Sequence, residues 1–228
     1  MDNNSNDASA TIAREMTQRD RRFILISEAR QGVVHAFQRG AASARGDHVA
    51  RMDADDRMHP RRLELQLSFL EENPEFGAVG GLVHYRGEAP GRGGFQRYVQ
   101  WNNSVITYDQ ILKHRFVDAP VVNPTAMWRR ETGEALGMYR PGDFPEDYEM
   151  WLRWLHQGVK IAKVPEVVLD WHDTPGRLTR NNPEYSDEAF YRVKTRYLAL
   201  WLEKNNPHHP HVAVWGASRT SRQRAGKL

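Results

Sequence analysis

The sequence contains no cysteine and no long apolar run. The absence of cysteine excludes disulfide bonds and thiolate metal sites, and it fits a reducing compartment. No apolar run approaches the roughly 20 residues of a membrane-spanning helix, and the polar N-terminus does not have the pattern of a signal peptide. We therefore expect a soluble cytoplasmic protein.

A strong excess of one charge is also missing. The chain has 32 Lys and Arg against 29 Asp and Glu, a net charge of +3. The C-terminal end is locally basic at Arg219, Arg222 and Arg224, but no long basic block predicts a nucleic-acid partner. With 228 residues, 39% of them apolar and 27% charged, the composition is typical of one sizeable globular domain.

Short apolar segments alternate with helical patterns along most of the chain. The patterns predict strands over 23–26, 48–52, 78–83, 126–128, 161–164 and 167–171, and helices over 11–16, 31–42, 60–72, 108–113, 145–156 and 187–204. The glycine-rich stretch 86–94 is interpreted as a mobile loop. This alternation indicates an α/β fold with a mostly parallel sheet.

Three carboxylates follow the second predicted strand within four residues, at Asp53, Asp55 and Asp56. Like charges this close repel one another, and a hard divalent cation with oxygen ligands is the usual compensation. The alternative is a solvated acidic turn before the next helix, where Asp and Pro60 are both favoured. Ligands of open α/β sheets lie outside the carboxyl ends of strands, which is where this cluster falls.

Four landmarks then occur in a familiar order. They are the turn Asp2–Asp7, the helical segment 32–46, the Asp53-Ala54-Asp55-Asp56 cluster with the helix start at 60–66, and Glu146-Asp147 within 146–153. Together they resemble the family 2 glycosyltransferases of the GT-A fold. The resemblance implies a Rossmann-like three-layer sandwich that moves a sugar from a nucleotide-diphosphate donor to an acceptor hydroxyl with inversion.

The resemblance also implies roles for single residues. Asp55 and Asp53 would hold Mn²⁺ or Mg²⁺, and Asp2 would contact the nucleotide of a UDP- or GDP-sugar. Asp147, beside Glu146, would be the catalytic base. The alternative for Glu146 and Asp147 is compensation of the helix dipole. The acceptor is expected to be a glycan or a lipid-linked glycan of a bacterial surface polysaccharide, with peripheral contact at the inner face of the membrane.

Further candidates are Arg30 and Arg177 for the donor and His172 for the metal. The segment around His172 and Arg177 resembles a late family segment that folds back over the donor. A lone His is more often structural, and an exposed Arg is usually solvated. The tryptophans Trp151, Trp154 and Trp201 are expected in the core rather than as sugar platforms.

Both ends depart from the family pattern. Family members begin with a strand and helix before the acidic turn, so we expect residues 1–205 to form an N-terminally incomplete GT-A domain that lacks the first strand–helix unit. Residues 206–228 are expected to be a tail, or the start of a second Rossmann-like domain. A catalytically inactive nucleotide-sugar-binding fragment and a two-metal nucleotidyltransferase remain as alternative functions.

Overall fold

The computed structural model describes residues 1–87, 93–174, 176–177, 179, 182–216 and 218–226. In chain order the elements are α1 (Ser9–Arg19), α2 (Val33–Ser43), β1 (His48–Ala50), β2 (Arg57–Met58), α3 (Arg62–Glu72), β3 (Phe76–Gly87), α4 (Gly93–Ser104), α5 (Tyr108–His114), β4 (Met127–Arg129), α6 (Arg130–Leu136), α7 (Glu146–His156), β5 (Lys160–Asp173), α8 (Asp187–Asn205) and α9 (Arg219–Ala225). Short 3₁₀ turns lie at Asn123–Thr125 and Pro183–Tyr185.

The strands form one sheet in the order β1-β4-β3-β5-β2. Only the central pair, β3 with β5, is parallel, and the other three described pairs are antiparallel. The described sheet is therefore mixed rather than mostly parallel. The six residues between β1 and β2 are too few for the crossover that parallel neighbours need, and β2 pairs antiparallel with β5 at the other edge of the sheet.

Helices cover both faces of this sheet. Adjacent strand residues point to opposite faces, and Ala78 and Val79 of β3 belong to different buried clusters. Ala78 packs with residues of α5 and α7, whereas Val79 packs with residues of α3 and α4. The α/β sandwich is therefore three-layered, as expected. A third cluster packs α7 against α8.

Local chemistry explains where several helices begin and end. The side chain of Thr107 caps α5 by accepting from the Gln110 N–H, and the Gln110 side chain reciprocates. Ser186 caps α8 in the same way, through the N–H of Ala189. Pro60 and Pro145 lie just before helices and Pro183 is the first residue of a 3₁₀ turn, and the missing N–H of proline is tolerated at such positions. The predicted helices over 60–72, 145–156 and 187–204 are confirmed to within two residues.

Three local predictions are wrong. Residues 23–26 form no strand and leave Phe23 and Ile24 about half exposed; among the described residues only an isolated parallel bridge between Asp2 and Ser27 lies beside them. The apolar pattern His211-Val212-Ala213-Val214-Trp215 also predicts a strand, and these residues do not form one. The helix α4 was not predicted from the sequence, and it begins inside the glycine-rich stretch. Of the loop predicted over 86–94, residues 88–92 lie outside the described part of the chain.

The spacing of Leu63, Leu67 and Leu70 predicts one apolar face of α3 packed in the core, but of these three only Leu70 is buried. Leu63 and Leu67 are exposed, and the residues packed against the sheet are Arg62, Gln66 and Leu70. Two polar side chains can take this place because backbone carbonyls, the Met52 sulfur and the contact between the two side chains supply hydrogen-bond partners. Arg62 binds Gln66, and Gln66 donates to the carbonyl of Thr125 at 2.6 Å.

In the described part of the chain, no helix has the length and apolar character needed to cross a bilayer.

Candidate active site

A cavity of about 650 Å³ opens beside the ends of β1 and β5. Its lining brings together five of the residues predicted from the sequence, although they lie as much as 124 positions apart: Asp53, Asp55, Glu146, Asp147 and Arg177. The volume is in the range of small-molecule sites.

The acidic cluster forms one edge of this cavity. Ligand oxygens of Asp53, Asp55 and Asp56 all lie within 4.8 Å of one another. Burial, together with the charges of Asp55 and Asp53, raises the pKa of Asp56 to about 6. A divalent cation relieves this kind of crowding, and three carboxylates are a donor set that fits Mn²⁺ or Mg²⁺.

Basic and backbone groups hold the cluster in place. Arg51, at the end of β1, forms an ion pair with Asp53. The backbone N–H of His172, near the end of β5, donates to the Asp56 carboxylate at 2.8 Å. The Arg62 guanidinium on α3 donates to the carbonyl of Arg51 at 2.7 Å, and this bond holds the backbone just before Asp53 in place.

Glu146 and Asp147 form the first turn of α7 on another side of the cavity. Glu146 is buried and accepts the hydroxyl of Tyr185 at 2.6 Å. Asp147 is partly exposed and accepts the backbone N–H of Tyr148 at 2.7 Å. Burial raises the pKa of Asp147 to about 8, with the charge of Glu146 as the next cause. A carboxylate with such a pKa is poised to take a proton near neutral pH.

Aromatic and basic side chains from the end of β5 form a further wall. Trp171 is buried among Phe95 and Tyr98 of α4. The Arg177 guanidinium lies 4.2 Å from the centre of the Trp171 ring and donates to the carbonyl of His172 at 3.0 Å. Arg177 is thus held over the cavity rather than solvated.

Three predicted residues do not line the cavity: Asp2, Arg30 and His172. Asp2 pairs through its backbone with residues 26 and 28, and Arg30 forms an ion pair with Glu28 at 3.0 Å. Asn3 ties these two segments together through the carbonyls of Glu28 and Arg30. His172 is not among the described residues whose ligand atoms cluster, and Asp56 is the third member instead.

The sequence reading missed three residues of the site: Arg51, Trp171 and Tyr185. Arg51 lies two residues before Asp53, and this closeness to the acidic cluster was the available signal. Nothing in the sequence joins Tyr185 to Glu146, which lies 39 positions away. Trp151 and Trp154 are fully buried, as expected, but Trp201 is 39% exposed and does not belong to the core.

A model of the glycosyl transferase family 2 matches residues 1–135, more than half of the chain. The chain belongs to glycosyl transferase family 2. One relative, the amylovoran biosynthesis glycosyltransferase AmsE of Erwinia amylovora, is 29% identical to this chain. The alignment covers 62% of this chain and 51% of AmsE. An uncharacterized glycosyltransferase of Haemophilus influenzae is 26% identical over 73% of this chain and 60% of its own.

Solved structures support the GT-A fold. The mannosyltransferase of Pyrobaculum calidifontis, solved with GDP-mannose and Mn²⁺, superposes with a TM-score of 0.56 at 19% identity. The superposition covers 88% of this chain and 52% of the mannosyltransferase. The chain thus spans 51% to 60% of the length of the two relatives described above.

Proposed function

We propose that this chain carries the catalytic site of an inverting, metal-dependent glycosyltransferase. Its donor is a UDP- or GDP-sugar, and its acceptor is a glycan or lipid-linked glycan of a bacterial surface polysaccharide. The observation that carries the proposal is the meeting of two acidic groups in one cavity: the cluster at Asp53–Asp56 and the pair Glu146–Asp147. The relation to a family member named for amylovoran biosynthesis supports the polysaccharide assignment.

The acidic cluster is proposed as the metal site. Asp53, Asp55 and Asp56 would hold Mn²⁺ or Mg²⁺ through carboxylate oxygens, and the bound cation would neutralise charge on the departing diphosphate. Arg177, held over Trp171 on the same cavity, is proposed to contact a diphosphate oxygen. Asp2 and Arg30 stay proposed nucleotide contacts from the family resemblance, and His172 stays a proposed metal ligand on the same ground.

Asp147 is proposed as the catalytic base. It would take the proton of the acceptor hydroxyl as the new bond to the anomeric carbon forms and the bond to the diphosphate breaks. Glu146, held in place by Tyr185, is a second acidic group beside Asp147. After burial, the charge of Glu146 is the next cause that raises the pKa of Asp147. One displacement by one activated hydroxyl inverts the anomeric centre.

Location remains part of the proposal. We propose that the protein works in the cytoplasm, with peripheral contact at the inner face of the membrane, where a lipid-linked acceptor would be found. Residues 1–205 are proposed as the GT-A domain and residues 206–228 as a tail.

Calorimetry and product analysis test the proposal. UDP or GDP should bind in the presence of Mn²⁺, and Asp55→Asn should abolish the metal-aided part of that binding. Asp47→Asn is the matched control, because Asp47 is an exposed Asp outside the cavity. Transfer should release a nucleoside diphosphate and give an inverted glycoside. Release of pyrophosphate would identify a nucleotidyltransferase instead, and binding without turnover would identify an inactive nucleotide-sugar-binding protein.

A further inference from the structure

The cavity extends beyond the acidic groups to a wall formed by α8 and α9. Asp187, Tyr191 and Lys194 of α8 line it, and their spacing of four and three residues puts them on one helix face. Arg224 of α9 lines the same wall. The C-terminal segment therefore contributes a cation to the cavity.

Both cations lie against one aromatic ring. The Arg224 guanidinium is 4.1 Å and the Lys194 ammonium 4.7 Å from the centre of the Tyr191 ring. Lys194 also donates to the carbonyl of Val117 at 2.6 Å. Among the residues that the structure describes, neither cation forms an ion pair with a carboxylate. Contact with the ring holds the two charges together without neutralising them.

Two carboxylates, those of Asp118 and Asp187, lie near Lys194, but among the described residues neither forms an ion pair with it or with Arg224. Asp118 accepts the N–H of Ala119 at 2.7 Å; burial raises its pKa, and the charge of Lys194 lowers it. Asp187 lies in the first turn of α8, where the positive end of the helix dipole compensates it. Two cations that form no ion pair among the described residues therefore lie together on this wall, while Asp53 and Asp55 make another edge of the cavity acidic.

We propose that Lys194 and Arg224 form a binding subsite for an anionic group of the acceptor, a phosphate or a carboxylate. The proposal rests on the transferase function, because it assigns the group to the acceptor that enters beside Asp147. An anion held at this wall orients the acceptor in the cavity. The carboxylates of the acidic edge repel the same anion and so favour its binding at this wall. Neutral glycosides lack this contact and bind more weakly.

Calorimetry with short probes tests the subsite. Butyl diphosphate, butyl glucuronide and neutral butyl glucoside are titrated into the full chain without divalent cation, so that diphosphate cannot bind through a metal. One anionic probe should bind at least tenfold more tightly than butyl glucoside, and which one does so distinguishes phosphate from carboxylate. Equal binding of all three probes, or no binding of either anion, overturns the proposal.

Variants assign the binding to the two cations. Lys194→Gln and Arg224→Gln should each weaken the anionic probe about tenfold, the effect of losing one charge-assisted contact. Arg222→Gln is the matched control, since Arg222 is exposed on the same helix but does not line the cavity, and its affinity should stay within twofold. Equal weakening by all three variants would mean only general attraction to a basic helix.

The two proposals fail separately. The transferase proposal fails if neither UDP nor GDP binds with the help of Mn²⁺. The anion titrations are measured without nucleotide or metal and are therefore independent of that result. Nucleotide binding with no preference for anionic probes overturns the subsite alone. Anion binding without nucleotide uptake overturns the transferase and the acceptor assignment, but leaves the anion contact in place.

Discussion

Replacing Asp147 by Asn separates catalysis from stability. Burial and the neighbouring Glu146 raise the pKa of Asp147 from 3.8 to about 8. Because folding raises the pKa of this carboxyl, the ionised form is less favourable in the folded protein than in the unfolded chain. The group therefore destabilises the folded protein at any pH at which the carboxyl is ionised in the unfolded chain. The stability contributed by this group is therefore present at acid pH and is lost as the pH rises above about 4.

The size of the effect follows from the pKa difference. At about 1.4 kcal/mol per pKa unit, the penalty at pH 7 would be roughly 4 kcal/mol for a fully buried group. The side chain of Asp147 is partly exposed, so we expect about 2 kcal/mol. Asn cannot ionise, and Asp147→Asn should raise the free energy of unfolding by that amount at pH 7 and hardly change it at pH 4. The melting temperature should rise by about 4–8 °C.

Activity should change in the opposite direction. Loss of a general base typically costs a factor of about 10²–10⁴ in rate, whereas nucleotide binding should be unchanged. Asp109→Asn is the control, because Asp109 is also the second residue of a helix but is exposed and outside the cavity. Turnover of Asp147→Asn within a few-fold of the parent enzyme, or a lower melting temperature at pH 7, would refute the reasoning.

Three further predictions concern the pH profile and the fold. In the parent enzyme, kcat/KM should rise between pH 6 and about 8, because only the ionised form of Asp147 accepts a proton; a flat profile would contradict this role. Gly81→Ala should lower the free energy of unfolding in urea by about 1–3 kcal/mol, because its Cβ would clash with the Val168 side chain, whereas Gly94→Ala, with nothing within 4 Å, should not. Arg62→Leu should cost about 2–4 kcal/mol in the same assay, because the Arg51 carbonyl and the Gln66 side-chain oxygen would each lose their Arg62 donor, and a neutral result would show that the buried Arg is dispensable.

Features encoded in short stretches of sequence could be predicted. The strand-to-cluster segment ending at Asp53–Asp56 and the start of α7 depend on local charge, proline and apolar spacing, and both lie where expected. The buried face of α3 could not be predicted, because Arg62 and Gln66 are buried only when the backbone of residues 51 and 125 supplies their partners. Leu63 and Leu67 followed a helical apolar pattern yet face solvent.

Long-range pairing explains the remaining differences. The strand order joins segments more than 70 residues apart, such as β1 with β4, and alternation of strands and helices does not specify direction when a strand has only two or three residues. Tyr185 and Arg224 reach the cavity through tertiary packing of segments whose own composition resembles ordinary surface. Such contacts carry no short-range signal in one sequence.

The burial of α7 bears on how this protein could be redesigned. Every residue from Tyr148 to Leu155 is buried, so a saturation scan of this helix should yield mostly unfolded variants. Libraries aimed at new acceptors should therefore leave α7 intact and diversify the cavity-facing positions of α4 and α8, where exposure is greater and altered side chains are tolerated.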